Sequence, residues 1–277
     1  MIELPEVLTI AKQMNKEIKG KTIKSGNRGN SQHKWAFYNR DAEEFERILP
    51  GKTVGEISGN AGWIITNLEP GYALLLGDMG GKILFHQNDE TIPDKYHLML
   101  HFEDNTYLTV SIQGWGFIKI VEKSEVATDR HATQKILSPI SHDFTFDYFH
   151  QLIKSYEKRE KKSIKAFMIT GPKKMPGIGN GYLQDILFRA KIHPKRVVAE
   201  ISDDEIKGLY EAIKTTMKEA IELGGKDEEK DLYNNKGGYS RILNSKTKGK
   251  PCQECGTIIE KIQYMGGSSY FCPSCQA

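Results

Sequence analysis

The sequence predicts an α+β protein with a β-rich half, a helical half and a small cysteine module at the C-terminal end. Three observations carry this. From about residue 21 to residue 121 the chain breaks into short β-prone runs separated by turn signals. Beyond residue 137 apolar residues recur at helical spacing. All four cysteines fall within the last 26 residues. A length of 277 residues suits two domains rather than one small core.

At the start, Val7, Ile10, Ala11, Met14 and Ile18 have the spacing of one helical face within residues 1–20, and Glu3 and Glu6 are favourable near a positive helix N-terminus. The β-prone runs follow as "TVGEIS", "GWIITNL", "YALLLGD", "KILFH", "YHLMLHFE", "TYLTVSI" and "GFIKIV", with "EPG", "MGG" and "EDN" as turns. Strands at this spacing suggest an antiparallel sandwich or barrel. One helix, "RDAEEFERIL", interrupts them, and residues 122–137 read as a linker. Helices are then expected in "FTFDYFHQLIKSYEKR", "SIKAFMIT", "GYLQDILFRAKI" and "SDDEIKGLYEAIKTTMKEAIELGG". The last opens with Ser202 and Glu205 at capping-box spacing and stops at Gly224 and Gly225. Residues 226–249 are charged and rich in Asn and Gly, and are expected to be mobile. No internal repeat is present.

A hydrophobic fraction of 38% supports packed cores and excludes wholesale disorder. No run reaches the ~20 apolar residues needed to span a bilayer, so no membrane partner is expected. The N-terminus carries Glu3, Pro5 and Glu6 and lacks the basic start of a signal peptide. The expectation is a soluble, cytoplasmic protein. A net charge of +3 from 39 basic and 36 acidic residues says little about nucleic acid. Local runs say more: Lys161, Lys162, Lys165, Lys173 and Lys174 form one cluster, and Lys246, Lys248 and Lys250 another. Either run alone is equally a solvated face.

The tail reads "CQECGTIIEKIQYMGGSSYFCPSCQA". Cys252 and Cys255 form one C-x2-C pair; Cys272 and Cys275 form a second, 16 residues on. Each pair can aim two sulfurs at one point, and the residues between can fold as a β-hairpin. One tetrahedral Zn2+ closed by four thiolates is expected, structural because no coordination position stays open. Upstream, "MPGIGNGYLQDILFRAKIHP" places Gly177, Gly179 and Asn180 before a helix. Glycines allow close backbone approach, and a helix N-terminus offers free N–H groups to a phosphate. Such a turn is by itself only a turn; beside lysine clusters and a zinc hairpin it points to a DNA backbone.

Three blocks now stand in fixed order: "ELPEV", "GIGNGYLQDILFRAKIHP" and "KPCQECGTIIEKI…FCPSCQ". Together they resemble the formamidopyrimidine-DNA glycosylase/endonuclease VIII family over essentially the whole chain. The resemblance implies an N-terminal helix on a two-sheet antiparallel β-sandwich (1–121), a linker (122–137), a helix–two-turn–helix DNA-binding domain (138–249) and a zinc β-hairpin (250–277). It implies DNA in a cleft and excision of a damaged base. In that chemistry the amine of a proline exposed by loss of the initiator Met attacks C1′, and a neighbouring Glu moves protons at the sugar. A strand lysine and a hairpin arginine hold phosphates, and three side chains fill the gap left by the flipped base.

On this pattern Glu3 is the residual catalytic candidate and Glu6 its support. Asn180, Gly179, Gly177 and Lys165 are the expected phosphate contacts. The chain departs elsewhere. Ile2 stands at the proline position, and a residue that large is expected to block removal of Met1. Asn60 or Gly62 stands at the strand lysine and Gly267 at the hairpin arginine. Asp78 or Met79, Gly114 and Trp115 occupy the void-filling positions, where Trp115 could wedge between bases or simply pack in a core. The implied function is a monomeric protein that binds double-stranded, damaged or distorted DNA and has lost the amine-based glycosylase/lyase chemistry. The alternative is a hydrolytic DNA N-glycosylase in which Glu3 activates water. A protein-interaction scaffold is a third class, disfavoured by retention of the Asn180 turn and the finger.

Overall fold

The computed structural model describes residues 1–31, 33–129, 136–170 and 175–277. It divides into two compact units, Met1–Gln134 with Leu223–Gly238, and Lys135–Glu222 with Tyr239–Ala277. Lys173 and Lys174 of the first lysine cluster lie outside the described residues, as does the 130–135 part of the expected linker, whose 123–128 part forms a 3-10 turn (Lys123–Thr128). Among the described residues no helix is long and apolar enough to cross a membrane.

The first unit begins with α1 (Leu4–Glu17), which buries Leu4, Val7, Ile10, Ala11 and Met14 as the periodicity predicts. It continues through β1 (Ile23–Arg28), β2 (Ala36–Tyr38), α2 (Ala42–Ile48), β3 (Thr53–Asn60), β4 (Trp63–Glu69), β5 (Tyr72–Gly77), β6 (Gly81–His86), β7 (Leu98–Phe102), β8 (Tyr107–Ile112) and β9 (Gly116–Glu122). The strands form two sheets, ordered β1-β7-β8-β6 and β2-β9-β5-β4-β3. This is a sandwich, not a barrel. All pairs are antiparallel except β2 with β9, which is parallel.

Alternation decides what each strand buries. Leu74 and Leu76 of β5 and Ile118 and Ile120 of β9 join Leu100, Phe102, Leu108 and Val110 in the main core. Ala73, Leu75, Trp63 and Val121 form a smaller cluster on the opposite face of the five-stranded sheet. That two-sided burial explains the nearly continuous apolar run of β5. β1 and β2 had no clear sequence signal: "IKSGNR" is polar and "AFY" is three residues long. β1 exists because its backbone completes a ladder with β7. α1 packs on β3, and Gly59 permits it, since a Cβ there would stand 2.8 Å from Val7 Cγ1.

The segment expected to be mobile is instead anchored. Lys226 and Leu232 are buried in the first unit, where Leu232 joins the main core and its carbonyl accepts from Phe85 N at 3.0 Å. Tyr239 and Leu243 are buried in the second unit. Polar composition hid these single apolar anchors.

The second unit holds α3 (Phe146–Lys154), α4 (Ile164–Ile169), α5 (Asn180–Arg189), α6 (Asp203–Glu222), β10 (Glu260–Tyr264) and β11 (Gly267–Phe271). The Ser202 capping box forms as read: Ser202 N donates to Glu205 Oε2 at 2.8 Å and Glu205 N to Ser202 Oγ at 3.2 Å. α5 is buried continuously from Tyr182 to Phe188, so it is the central helix of this unit. Its Asp185 organises the chain that enters the cysteine module. One oxygen accepts from Tyr239 OH and Ile242 N, the other from Leu243 N, at 2.9–3.0 Å.

Burial pushes the Asp185 carboxyl up to about 6, against the pull of those three donors. A carboxyl raised in the folded state contributes stability that is complete below its unfolded value of 3.8 and is lost as pH rises through about 6. The second unit is therefore expected to melt at a lower temperature at pH 7 than at pH 4.5 by an amount that Asp185→Ala removes. The same variant should lower stability at both pH values by about 1–3 kcal/mol, because it strands buried donors. Melts of the two proteins at both pH values check this.

Candidate functional site

In the first unit the chain start, α1 and the segment after α6 meet in a buried ion cluster. Ile2 is 3% exposed, lies in the main core, and its amide donates to Met79 O at 2.9 Å. The Met1 amine pairs with Glu229 Oε1 at 2.7 Å. Glu3 and Glu6 are both buried, and the Lys226 ammonium lies 3.1 Å from Glu3 Oε1 and 3.3 Å from Glu6 Oε2. The Lys226 amide donates to Glu6 Oε1 at 2.8 Å, and Glu6 Oε2 accepts from Glu3 N at 2.7 Å. Gly225 makes this possible: its φ is +96°, and a Cβ would stand 2.8 Å from Glu6 Cγ and Oε1.

Burial by itself disfavours the Lys226 charge, but Glu3, Glu6 and Glu229 outweigh it and hold the ammonium above the ordinary lysine value of 10.5. Lys226 is charged at neutral pH. Its stabilising contribution is complete below that ordinary value and is lost only as pH rises through the higher folded one. Sequence reasoning missed Lys226. The available signal was the acid pair itself: two carboxylates at the start of a helix, once buried, are stabilised by a paired cation.

In the second unit α5 begins at Asn180, with Gly177 in the left-handed region at φ +71° and Gly179 as N-cap. Asn180 Nδ2 donates to Ser268 O at 2.9 Å, and its Oδ1 is buried without a partner among the described residues. A Cβ on Gly267 would stand 3.7 Å from Asn180 Nδ2, so the hairpin residue 267 and the helix turn are neighbours. Lys165 is 1% exposed, and its ammonium donates to Ser269 Oγ at 2.7 Å and Tyr264 O at 3.1 Å. Burial lowers its pKa. Lys165, expected on a phosphate, here joins α4 to the hairpin. Lys161, Lys162, Lys246, Lys248 and Lys250 are exposed.

The four cysteine sulfurs all lie within 4.8 Å of one another, with Cys252 to Cys275 at 3.9 Å and Cys255 to Cys272 at 3.5 Å. Thiolates 2.3 Å from a tetrahedral Zn2+ stand about 3.8 Å apart, so the set fits one zinc. Cys252 and Cys272 pack with Phe188, Leu243 and Ile259. Gln276 ties the second knuckle to the helical part: its Oε1 accepts from Cys272 N at 2.9 Å and its Nε2 donates to Ile192 O at 3.0 Å. With four thiolates converging on one point the zinc is structural.

Family models match three consecutive parts of the chain. Residues 1–112 match the formamidopyrimidine-DNA glycosylase N-terminal domain, 137–230 the H2TH domain of that glycosylase, and 249–277 the zinc finger found in FPG and IleRS. The formamidopyrimidine-DNA glycosylase of Bacillus anthracis is 30% identical over 281 residues, covering 100% of this chain and 99% of that protein. This chain belongs to the formamidopyrimidine-DNA glycosylase family. The Bacillus subtilis (strain 168) glycosylase is 31% identical over 284 residues, with 100% and 99% covered. Among solved structures, the Lactococcus lactis Fpg in complex with abasic-site DNA is similar at a TM-score of 0.85, with 25% identity and 99% of both chains covered. MutM in complex with DNA containing carbocyclic 8-oxo-G gives 0.83, also with 25% identity and 99% of both chains covered.

The glycosylase fold thus stands as expected from the sequence, and the site residues are distributed unevenly within it. Asn180, Gly179 and Gly177 form one turn beside Gly267. Glu3 and Glu6 come together, but with Lys226 between them. Met79 is buried in the main core rather than projecting. Gly62 of the β3–β4 turn meets Asp78 of the β5–β6 connection, whose N donates to Gly62 O at 3.1 Å. Trp115 is 44% exposed, which removes the reading of it as a packed core ring.

Lys226→Met should strand two buried carboxylates and destabilise the first unit by about 3–5 kcal/mol, measurable by urea unfolding followed by tryptophan fluorescence. Cys272→Ser should lower bound zinc from about one per chain to a small fraction, measurable by metal analysis of the purified protein.

Proposed function

We propose that this chain is a monomeric DNA-binding member of the glycosylase family that engages damaged or distorted double-stranded DNA and does not perform the family's amine-based lyase chemistry. The observation that carries the reading is the buried Lys226–Glu3–Glu6 cluster with Ile2 packed beside it. The family reaction needs a free amine at position 2 and a carboxylate able to move protons beside it. Here the nitrogen of Ile2 is a peptide nitrogen whose lone pair is delocalised into the amide, and it donates to Met79 O. The nearest amine is that of Met1, held on Glu229. A correctly held nucleophile contributes about 7–11 kcal/mol to a reaction of this kind, so its displacement is a severe loss.

The phosphate contacts follow the same division. Gly62, Asn60 and Gly267 supply no cation. What supports DNA binding is the Asn180 turn at the N-terminus of a ten-residue helix, the exposed lysines of the same unit, and likeness to proteins solved with abasic-site and 8-oxo-G DNA. The hydrolytic alternative needs Glu3 to receive a proton from water. Its Oε1 already accepts from Lys226, so that route requires the cluster to open.

The test pairs two readouts on one substrate, an abasic-site duplex. A gel shift is expected to give a retarded complex, while borohydride treatment of the same mixture is expected to leave no covalent adduct. An adduct mapped to the Met1 amine or to Lys226 would overturn the loss of lyase chemistry; absence of any shift would overturn DNA binding.

A further inference from the structure

The outer face of the five-stranded sheet carries a row of aromatic rings that neither the ion cluster nor the zinc unit uses. The parallel register Ala36↔Gly116 and Phe37↔Phe117 sets Trp35 beside Trp115, and Gly116 N donates to Trp35 O at 3.0 Å. Alternate residues share a face. Ala36, Tyr38, Ile118 and Ile120 therefore go to the main core, and Trp35, Phe37, Trp115 and Phe117 project from the other side.

Their rings touch in sequence. Trp63 lies 5.7 Å from Phe117, Phe117 5.1 Å from Phe37, Phe37 4.6 Å from Trp115, and Trp115 5.6 Å from Trp35. The Trp35 and Trp115 planes are 29° apart. The row runs from a buried tryptophan, Trp63, to two that are each 44% exposed. Lys34, also exposed, places its ammonium 4.9 Å from the centre of the Trp35 ring. Two adjacent exposed tryptophans are a large apolar surface to leave in water. Held rigid on a sheet and set beside a cation, they have the make-up of a site for unpaired bases on a charged backbone.

We infer that this face binds a single-stranded DNA segment, stacking its bases on Trp35 and Trp115 and setting Lys34 against a phosphate. The inference rests on the DNA-binding reading and adds a single-stranded segment to the duplex proposed there. A lone wedge at position 115 serves a duplex gap; the second, register-matched ring extends the platform to neighbouring bases of one strand. A protein partner would use the same rings as anchors, but the Lys34 cation and the family favour nucleic acid.

The experiment titrates the full zinc-loaded chain with an oligothymidine strand and, separately, with an abasic-site duplex, following intrinsic fluorescence and the anisotropy of labelled DNA. The chain has three tryptophans, and Trp63 is buried, so quenching reports the exposed pair. Saturable quenching by the strand is expected. Trp35→Ala and Trp115→Ala should each weaken strand binding about tenfold to a hundredfold, the loss of one base stack, while Trp35→Phe retains most of it. Lys34→Ala should reduce the salt slope by about 0.7, the value for one phosphate contact on a single strand. Wild-type strand affinity in both alanine variants overturns the inference. Binding to the duplex without binding to the strand overturns it alone; binding to neither overturns the DNA-binding reading as well. Preference for an oligouridine strand overturns the assignment to DNA.

Discussion

An ammonium and two carboxylates with almost no access to water stand at the start of α1, and the rest of the first unit is arranged around them. Buried charge is tolerated only when paired and hydrogen-bonded, and here the partners come from positions 223 residues apart. Holding Lys226 at Glu3 and Glu6 fixes the chain start, since Ile2 and Met1 follow directly from where Glu3 sits. It also brings the segment 223–238 back to the first unit after the helical excursion, where Leu232 then joins the core. One electrostatic requirement thereby decides both how the chain begins and where its middle returns.

On the reading proposed above, the same contact bears on what the amino end can do. In the family chemistry this region is the reactive one, and its acid must be available to a sugar. In this protein Glu3 is paired with Lys226, and Ile2 is a core residue. The two features suit each other: an apolar side chain at position 2 packs best where the neighbouring charges are neutralised. In the second unit Lys165 likewise has its ammonium on Ser269 Oγ and Tyr264 O. Charged groups of both units are thus turned inward to hold the scaffold. What is exposed is different in kind, namely scattered lysines and the aromatic pair on the sheet.

The zinc hairpin and the Asp185 junction illustrate how little apolar surface the C-terminal module needs. The knuckles bury Cys252 and Cys272 with a few side chains of α5 and the following segment. Gln276 and Asp185 supply the hydrogen bonds that join module to helices. Metal coordination replaces a hydrophobic core here, as is usual for so short a segment.

The sequence by itself determined every feature whose cause is local. The face of α1 follows from the 3–4 spacing of Val7, Ile10 and Met14; the cap of α6 from Ser202 and Glu205; the metal site from two C-x2-C pairs; the α5 start from Gly177, Gly179 and Asn180. Ile2 at the second position was equally legible. Tertiary structure decided what depends on residues far apart. The polar strand β1 exists only because β7 offers a ladder, and Trp35 acquires meaning only through the parallel pairing of β2 with β9. Residues 226–249 looked unanchored because Leu232, Tyr239 and Leu243 are isolated in a polar stretch. Lys226 carries no local pattern at all; it is one lysine in "GGKDEE". Its role arises because charge pairing acts through space, and only the folded chain brings position 226 within about a hydrogen bond's length of positions 3 and 6.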